Sequence, residues 1–149
     1  MNEFEGGCLC GNVRYKLTAD PIISRICWCR TCQHFSGNGT ANAIFPTKGM
    51  DVSGETKVFT SESDSGNIIN RKFCANCGSH LFADSSARPG LMVVRIGTLD
   101  DPPSVKPAAN IWVASAPSWA CFDPALENFE HQPPPPAKSV AKENSSPAD

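Results

Sequence analysis

The chain has 149 residues, with 15 acidic against 13 basic side chains, a formal net charge of -2 and a pI near 5.9. That length fits one domain with a core but not two well-buried ones, and that charge lacks the basic footprint by which nucleic acid or an anionic membrane surface is held. Small molecules are therefore the expected partners. No apolar run approaches the ~20 residues of a membrane span. The opening Met1-Asn2-Glu3-Phe4-Glu5 has neither the basic nor the apolar region of a signal peptide, so a cytoplasmic location is expected.

Gly6-Gly7 leads into Cys8-Leu9-Cys10-Gly11, after which Val13, Tyr15 and Leu17 alternate with Arg14, Lys16 and Thr18. A period of two predicts a half-buried strand. The glycines flanking the cysteine pair permit a tight turn that brings amide N–H groups toward sulfur. Asp20-Pro21 marks a turn, and Ile22 to Ile26 reads as a short strand that delivers Cys27. In Cys27-Trp28-Cys29-Arg30-Thr31-Cys32, Cys27 and Cys29 point to one side if extended, and a turn through Arg30 and Thr31 returns Cys32 to them. One metal ion is then within reach of all three sulfurs. The polar Gln33-His34-Phe35-Ser36-Gly37-Asn38-Gly39 that follows is expected as a loop lining a substrate pocket, with His34 exposed on it.

Strands are expected over Thr40 to Phe45, at Val52, over Lys57 to Thr60, and over Ile68 to Phe73, with a serine-rich turn at Ser61 to Asn67. The last of these runs into Cys74-Ala75-Asn76-Cys77-Gly78, where two thiols share one tight turn and Gly78 supplies the positive φ that such a knuckle needs. A C-x-x-C pair also serves as a thioredoxin-like redox centre, but only in a βαβ context that this sequence does not display. Leu81-Phe82, Leu91 to Ile96 and Asn110 to Val113 continue the β pattern, and amphipathic helices are nearly absent. His80 is expected to be buried and hydrogen-bonded, and Trp112 and Trp119 to fill the core. From Pro133 the composition, Pro133-Pro134-Pro135-Pro136 and then alanine, lysine, serine and glutamate, cannot bury a core. Residues 1–132 are thus read as the domain and 133–149 as a solvated tail.

Seven of the eight cysteines lie in these clusters and divide as four plus three. Zn²⁺ takes four thiolates in a tetrahedron, which two short-spaced pairs far apart in sequence supply. The C-x-C-x-x-C cluster offers only three, which leaves a coordination position for water or substrate. Disulfides suit C-x-C spacing poorly, and an iron–sulfur centre lacks a clear fourth thiolate. Cys121 is the odd thiol, either a further ligand to the three-cysteine centre or a free buried one.

The order C-x-C-G-x-V-x-Y, C-x-C-x-x-C, F-C-x-x-C-G, a late tryptophan and Phe129-Glu130-His131-Gln132-Pro133 resembles the glutathione-dependent formaldehyde-activating enzymes, the family to which centromere protein V also belongs. The resemblance runs from about Gly6 to Pro133. It implies an all-β fold with little helix and two zinc centres, a structural one at Cys8, Cys10, Cys74 and Cys77 and a catalytic one at Cys27, Cys29 and Cys32. It further implies a carbon–sulfur lyase that joins formaldehyde to glutathione as S-hydroxymethylglutathione, or the reverse. The competing expectation is a zinc-stabilised binding module without catalysis. Arg30, Gln33 and Ser36 to Asn38 are the candidate substrate contacts.

Overall fold

The computed structural model describes residues 2–134; the tail expected from residue 133 lies outside the described residues from residue 135 onward. Alternating apolar and polar residues in short runs dictate strands, and strands dominate. β1 (Phe4–Gly7), β2 (Arg14–Leu17) and β5 (Met50–Ser53) form a three-stranded antiparallel sheet in the order β1-β2-β5. A larger sheet is built from β3 (Ile23–Cys27), β4 (Thr40–Pro46), β6 (Thr56–Glu62), β7 (Ile68–Cys74), β8 (His80–Ser85), β9 (Leu91–Arg95), β10 (Ala109–Ile111) and β11 (Glu127–Asn128). Its order is β11-β10-β3-β4-β9-β8-β7-β6, antiparallel from β3 through β6, with β10 parallel to both β3 and β11. This is the expected all-β fold. No helix among the described residues is long and apolar enough to cross a membrane.

The two sheets enclose one core. Tyr15 and Leu17 of β2, Ala43 and Phe45 of β4, Leu81 and Phe82 of β8, and Met92 and Val94 of β9 meet there with Phe4 and Val13. Two edge-to-face aromatic pairs join the layers, Phe4 with Phe45 at 5.5 Å and Tyr15 with Phe82 at 5.1 Å between ring centres. The Tyr15 hydroxyl, whose pKa burial pushes up to about 12, shares a hydrogen bond with Thr98 Oγ1 at 2.7 Å. Gly6 has to be glycine at this seam, since a Cβ there would collide with the Thr98 carbonyl oxygen and the Tyr15 hydroxyl.

Several expectations fail, Trp112 among them, which is partly exposed and follows the end of β10 at Ile111. The segment after Cys29 is not a turn and loop but a short helix, α1 (Arg30–Ser36). Cys29 caps its start, its sulfur accepting from the Cys32 amide at 3.3 Å, and Gly37 ends it at φ 79. Trp119 is 64 % exposed rather than part of the core, and the deeply buried tryptophan is Trp28, edge-on to Phe122 at 5.6 Å. Finally, His80 is packed between aromatic rings instead of being hydrogen-bonded at Nδ1, which is buried without a partner.

Candidate metal centres and the adjoining cleft

The β1–β2 connection and the β7–β8 connection come together at the edge of the core. Cys8 and Cys10 lie on the first, Cys74 ends β7 and Cys77 lies on the second, and their four Sγ atoms all lie within 4.8 Å of one another. Cys8 Sγ to Cys10 Sγ is 3.6 Å and Cys10 Sγ to Cys74 Sγ is 3.7 Å. Four sulfurs at ~2.3 Å from a tetrahedral zinc stand about 3.8 Å apart, whereas a disulfide needs about 2.05 Å. The spacing therefore fits a metal and not a bridge. Backbone amides are aimed at the sulfurs, Val13 N–H at Cys8 Sγ (3.2 Å), Asn76 N–H at Cys74 Sγ (3.3 Å) and Cys77 N–H at Cys74 Sγ (3.4 Å). Such donors favour thiolate over thiol. The Ser79 hydroxyl, 3.2 Å from Cys77 Sγ, together with the Ser79 and Cys10 amides, holds the Cys77 thiol down at about 5. For Cys8, burial pushes the thiol up, but the Val13 amide and the Cys10 and Cys74 sulfurs outweigh it and the net direction is down. Gly78 takes φ 79, the left-handed turn that the knuckle requires.

The second cluster is local. Cys27 ends β3, Cys29 caps α1 and Cys32 sits in the first turn of that helix, with the three Sγ atoms within 4.8 Å of one another. Hydrogen bonds from the Cys27 and Cys32 thiols, helped by the Cys32 and Thr31 amides, lower the Cys29 thiol to about 2. Cys27 moves up because it donates to Cys29 and Cys32 and is itself buried. A divalent cation bound by such a cluster would displace the thiol protons. Three soft donors on one side fit zinc with a position left over. Cys121 joins neither group: it is exposed, with its sulfur 3.9 Å from the Trp119 carbonyl oxygen.

Cys27 and Cys32 face a cleft of about 170 Å³ on the side of the large sheet away from the core. Strand register explains its walls. Arg25, Asn42 and Arg95 form one row across β3, β4 and β9, and Ile23, Ile44, Val93, Ala83 and Arg71 form the next row from β3 to β7. All eight line the cleft, while their neighbours Ala43, Phe45 and Val94 turn to the core. Arg88, from the β8–β9 hairpin, and Gln132 complete the rim. Gln132 is held by Trp112, whose Nε1 donates to Gln132 Oε1 at 3.2 Å and whose backbone takes the left-handed φ of 59. The segment Phe129 to His131 supports this arrangement through three backbone bonds to Trp112, Val113 and Ala114.

The residues expected to touch substrate are mostly occupied elsewhere. Gln33 donates to the Trp28 and Ser115 carbonyls at 2.7 and 3.0 Å and accepts from Arg30 at 2.8 Å, so it ties α1 down rather than facing the cleft. Ser36 and Asn38 close the end of the helix through the Cys32 carbonyl and the Gly39 amide. His34 is exposed. The arginines that do line the cleft were missed, although the sequence carries their signal: Arg25 stands two residues before Cys27 in an apolar strand, and Arg95 closes the apolar run of β9.

Comparison with known proteins agrees with this architecture. A crystal structure of a Rhodobacter sphaeroides protein is similar with a TM-score of 0.50 and 22% sequence identity, covering 69% of this chain and 91% of that one. No curated protein matches. The family model described as "Glutathione-dependent formaldehyde-activating enzyme" matches residues 3–115, a span that begins before the first cysteine pair and passes beyond the cleft strands to Ser115. With three-quarters of its length matched and every cysteine of both clusters inside the match, the chain belongs to the glutathione-dependent formaldehyde-activating enzyme family.

Proposed function

We propose that this protein is a zinc-dependent enzyme of the carbon–sulfur lyase type that acts on a thiol adduct, with the glutathione–formaldehyde pair as its leading substrate. The observation that carries the proposal is the three-sulfur cluster of Cys27, Cys29 and Cys32 opening onto a cleft with no fourth protein sulfur among the described residues. A non-catalytic module needs its metal sites closed, and among the described residues only the four-cysteine site has a full set of ligands.

In the synthetic direction the glutathione thiol gives up its proton, its sulfur attacks the formaldehyde carbon, and the carbonyl oxygen takes up a proton to give S-hydroxymethylglutathione. The reverse breaks the same carbon–sulfur bond. When bound at Cys27, Cys29 and Cys32, zinc supplies a Lewis-acidic position that favours the deprotonated form of a thiol. Held by the three thiolates of Cys27, Cys29 and Cys32, a divalent ion would leave a net charge of about -1, which would favour soft thiol chemistry over activation of water. Arg95, buried beside the cluster and within Coulombic reach of its sulfurs, offsets that charge. Cys29, as cap of α1, and Cys27, at the end of β3, fix the sulfurs on two elements. Gln33 in turn holds the helix against the rest of the chain.

Cys29→Ser tests this. The expected result is loss of one zinc of two by native mass spectrometry and loss of enzyme-accelerated exchange between formaldehyde and glutathione, measured by NMR. A variant lacking that zinc but turning over at the wild-type rate rules the mechanism out.

A further inference from the structure

The registers that open the cleft onto Cys27 and Cys32 also bring four guanidinium groups to its walls: Arg25, Arg71, Arg88 and Arg95. Among the described residues none of the four has a carboxylate within ion-pair distance. The one acid in the cleft, Asp84, is already engaged by Lys72 at 3.6 Å and by Asn70 at 3.0 Å. Arg95, 8% exposed, is oriented by a neutral partner, donating to Asn42 Oδ1 at 2.6 Å. Arg71 donates to Ser61 Oγ at 2.8 Å and lies over the Phe35 ring at 5.2 Å. These contacts fix direction but cancel no charge. Arg25 and Arg88 are half-buried and close enough to repel each other. Cations desolvated together in one concavity are costly unless an anion completes the set.

The metal centre answers only part of that charge. Three thiolates around a divalent ion would leave about -1, shared between Arg95, within Coulombic reach of all three sulfurs, and Arg25, within reach of that of Cys27. About one negative charge does not balance the four guanidinium groups of Arg25, Arg71, Arg88 and Arg95, and the cleft stays cationic. This placement is local and not a property of the whole chain, whose net charge is -2. Arg25 and Cys27 lie on the same face of β3 two residues apart, a separation of about 7 Å. A thiol and a carboxylate one extended residue further along a peptide span about the same distance.

We propose that Arg25, Arg71 and Arg88 form a carboxylate-binding subsite that selects thiols bearing two carboxylates for the three-cysteine centre. The negative charge of the thiol compound, rather than the bulk of its peptide body, decides what reaches the metal. The proposal rests on the reading of the cleft as a thiol-adduct site. Guanidinium forks suit this task because they meet carboxylates in two parallel charge-assisted bonds.

The probe is S-methylglutathione, which has both carboxylates but no free thiol, compared with its dimethyl ester on the zinc-loaded full chain by calorimetry. The acid should bind at least tenfold more tightly than the ester, and raising the salt should narrow the gap. Arg25→Gln and Arg88→Gln should each weaken the acid by roughly tenfold while leaving the ester unchanged, and Lys48→Gln, an exposed cation outside the cleft, should change neither. Equal affinities for acid and ester, or no binding of the acid at millimolar concentration, overturn the proposal. The salt comparison needs only the wild-type protein, so it stands even if a variant fails to fold. A neutral thiol, 2-mercaptoethanol, added to cobalt-substituted protein reports separately on the metal: a spectral response without an acid–ester difference overturns the carboxylate subsite alone. A silent metal with the difference retained supports the subsite and removes the thiol chemistry.

Discussion

His80 is the residue whose environment is most at odds with its chemistry. Its ring lies 4.5 Å from that of Phe35 and stacks on Phe73 at 5.5 Å, and its buried Nδ1 has no partner. Burial, followed by the nearby charges of Arg95 and Arg71, lowers its pKa below the ordinary 6.5. The unfolded chain therefore takes up a proton at this position before the folded one does. Stability should be unaffected above pH 6.5 and should fall as pH drops from 6.5 to the lowered folded-state value, because the unfolded state binds more protons in that window. His80→Phe removes the titration and suits the aromatic surroundings. Urea unfolding of both proteins between pH 7 and 5 should give a shallower decline for the variant. Parallel declines would mean that His80 does not contribute to the acid limb.

At the scale of elements, legibility followed local periodicity. β2 was readable because its apolar residues alternate, and β4, β7 and β9 as short β-rich runs whose limits Pro46, Gly78 and Pro89-Gly90 mark. β11, two residues held in a parallel pairing, carries no pattern of its own and owes its existence to β10. α1 was missed because it is seven residues long and buries none of them fully, so it has no apolar stripe to detect. Its signals were the caps, Cys29 before it and Gly37 after it. A helix that short does not hold itself together. Gln33 is what ties it down, through the Trp28 and Ser115 carbonyls. Gln33→Leu leaves both carbonyls short of a donor and frees the helix that carries Cys32. The expected outcome is metal affinity at the three-cysteine centre weaker by roughly tenfold or more, read by competition with a chelating dye, while the four-cysteine centre keeps its affinity. Equal weakening at both centres would point to general unfolding instead.

For the whole molecule the two clusters are not equivalent, although the sequence presents them as similar runs of cysteine. The four-cysteine centre joins the small sheet to the large one, and its Cys10 and Cys74 sulfurs meet across 64 residues of chain. A metal bound there would cross-link the chain over that distance and so remove much of the unfolded state's freedom, and its binding free energy would add directly to folding. The three-cysteine centre closes only the short path from the end of β3 into α1. It constrains little that the β3–β4 pairing and the Gln33 bonds have not already fixed. Cys10 is exposed, so Cys10→Ser removes a ligand without opening a cavity. That change should lose one zinc and several kcal/mol of stability, seen as a large drop in the thermal midpoint. Cys29→Ser should lose the other zinc and leave the midpoint within a few degrees, a change of no more than about 1 kcal/mol. Graded chelation should separate them in the same order, stripping the three-coordinate metal first with the fold intact and the four-coordinate metal only as the protein unfolds. If Cys29→Ser unfolds the chain as readily as Cys10→Ser, both centres are structural and the cleft loses its claim to chemistry.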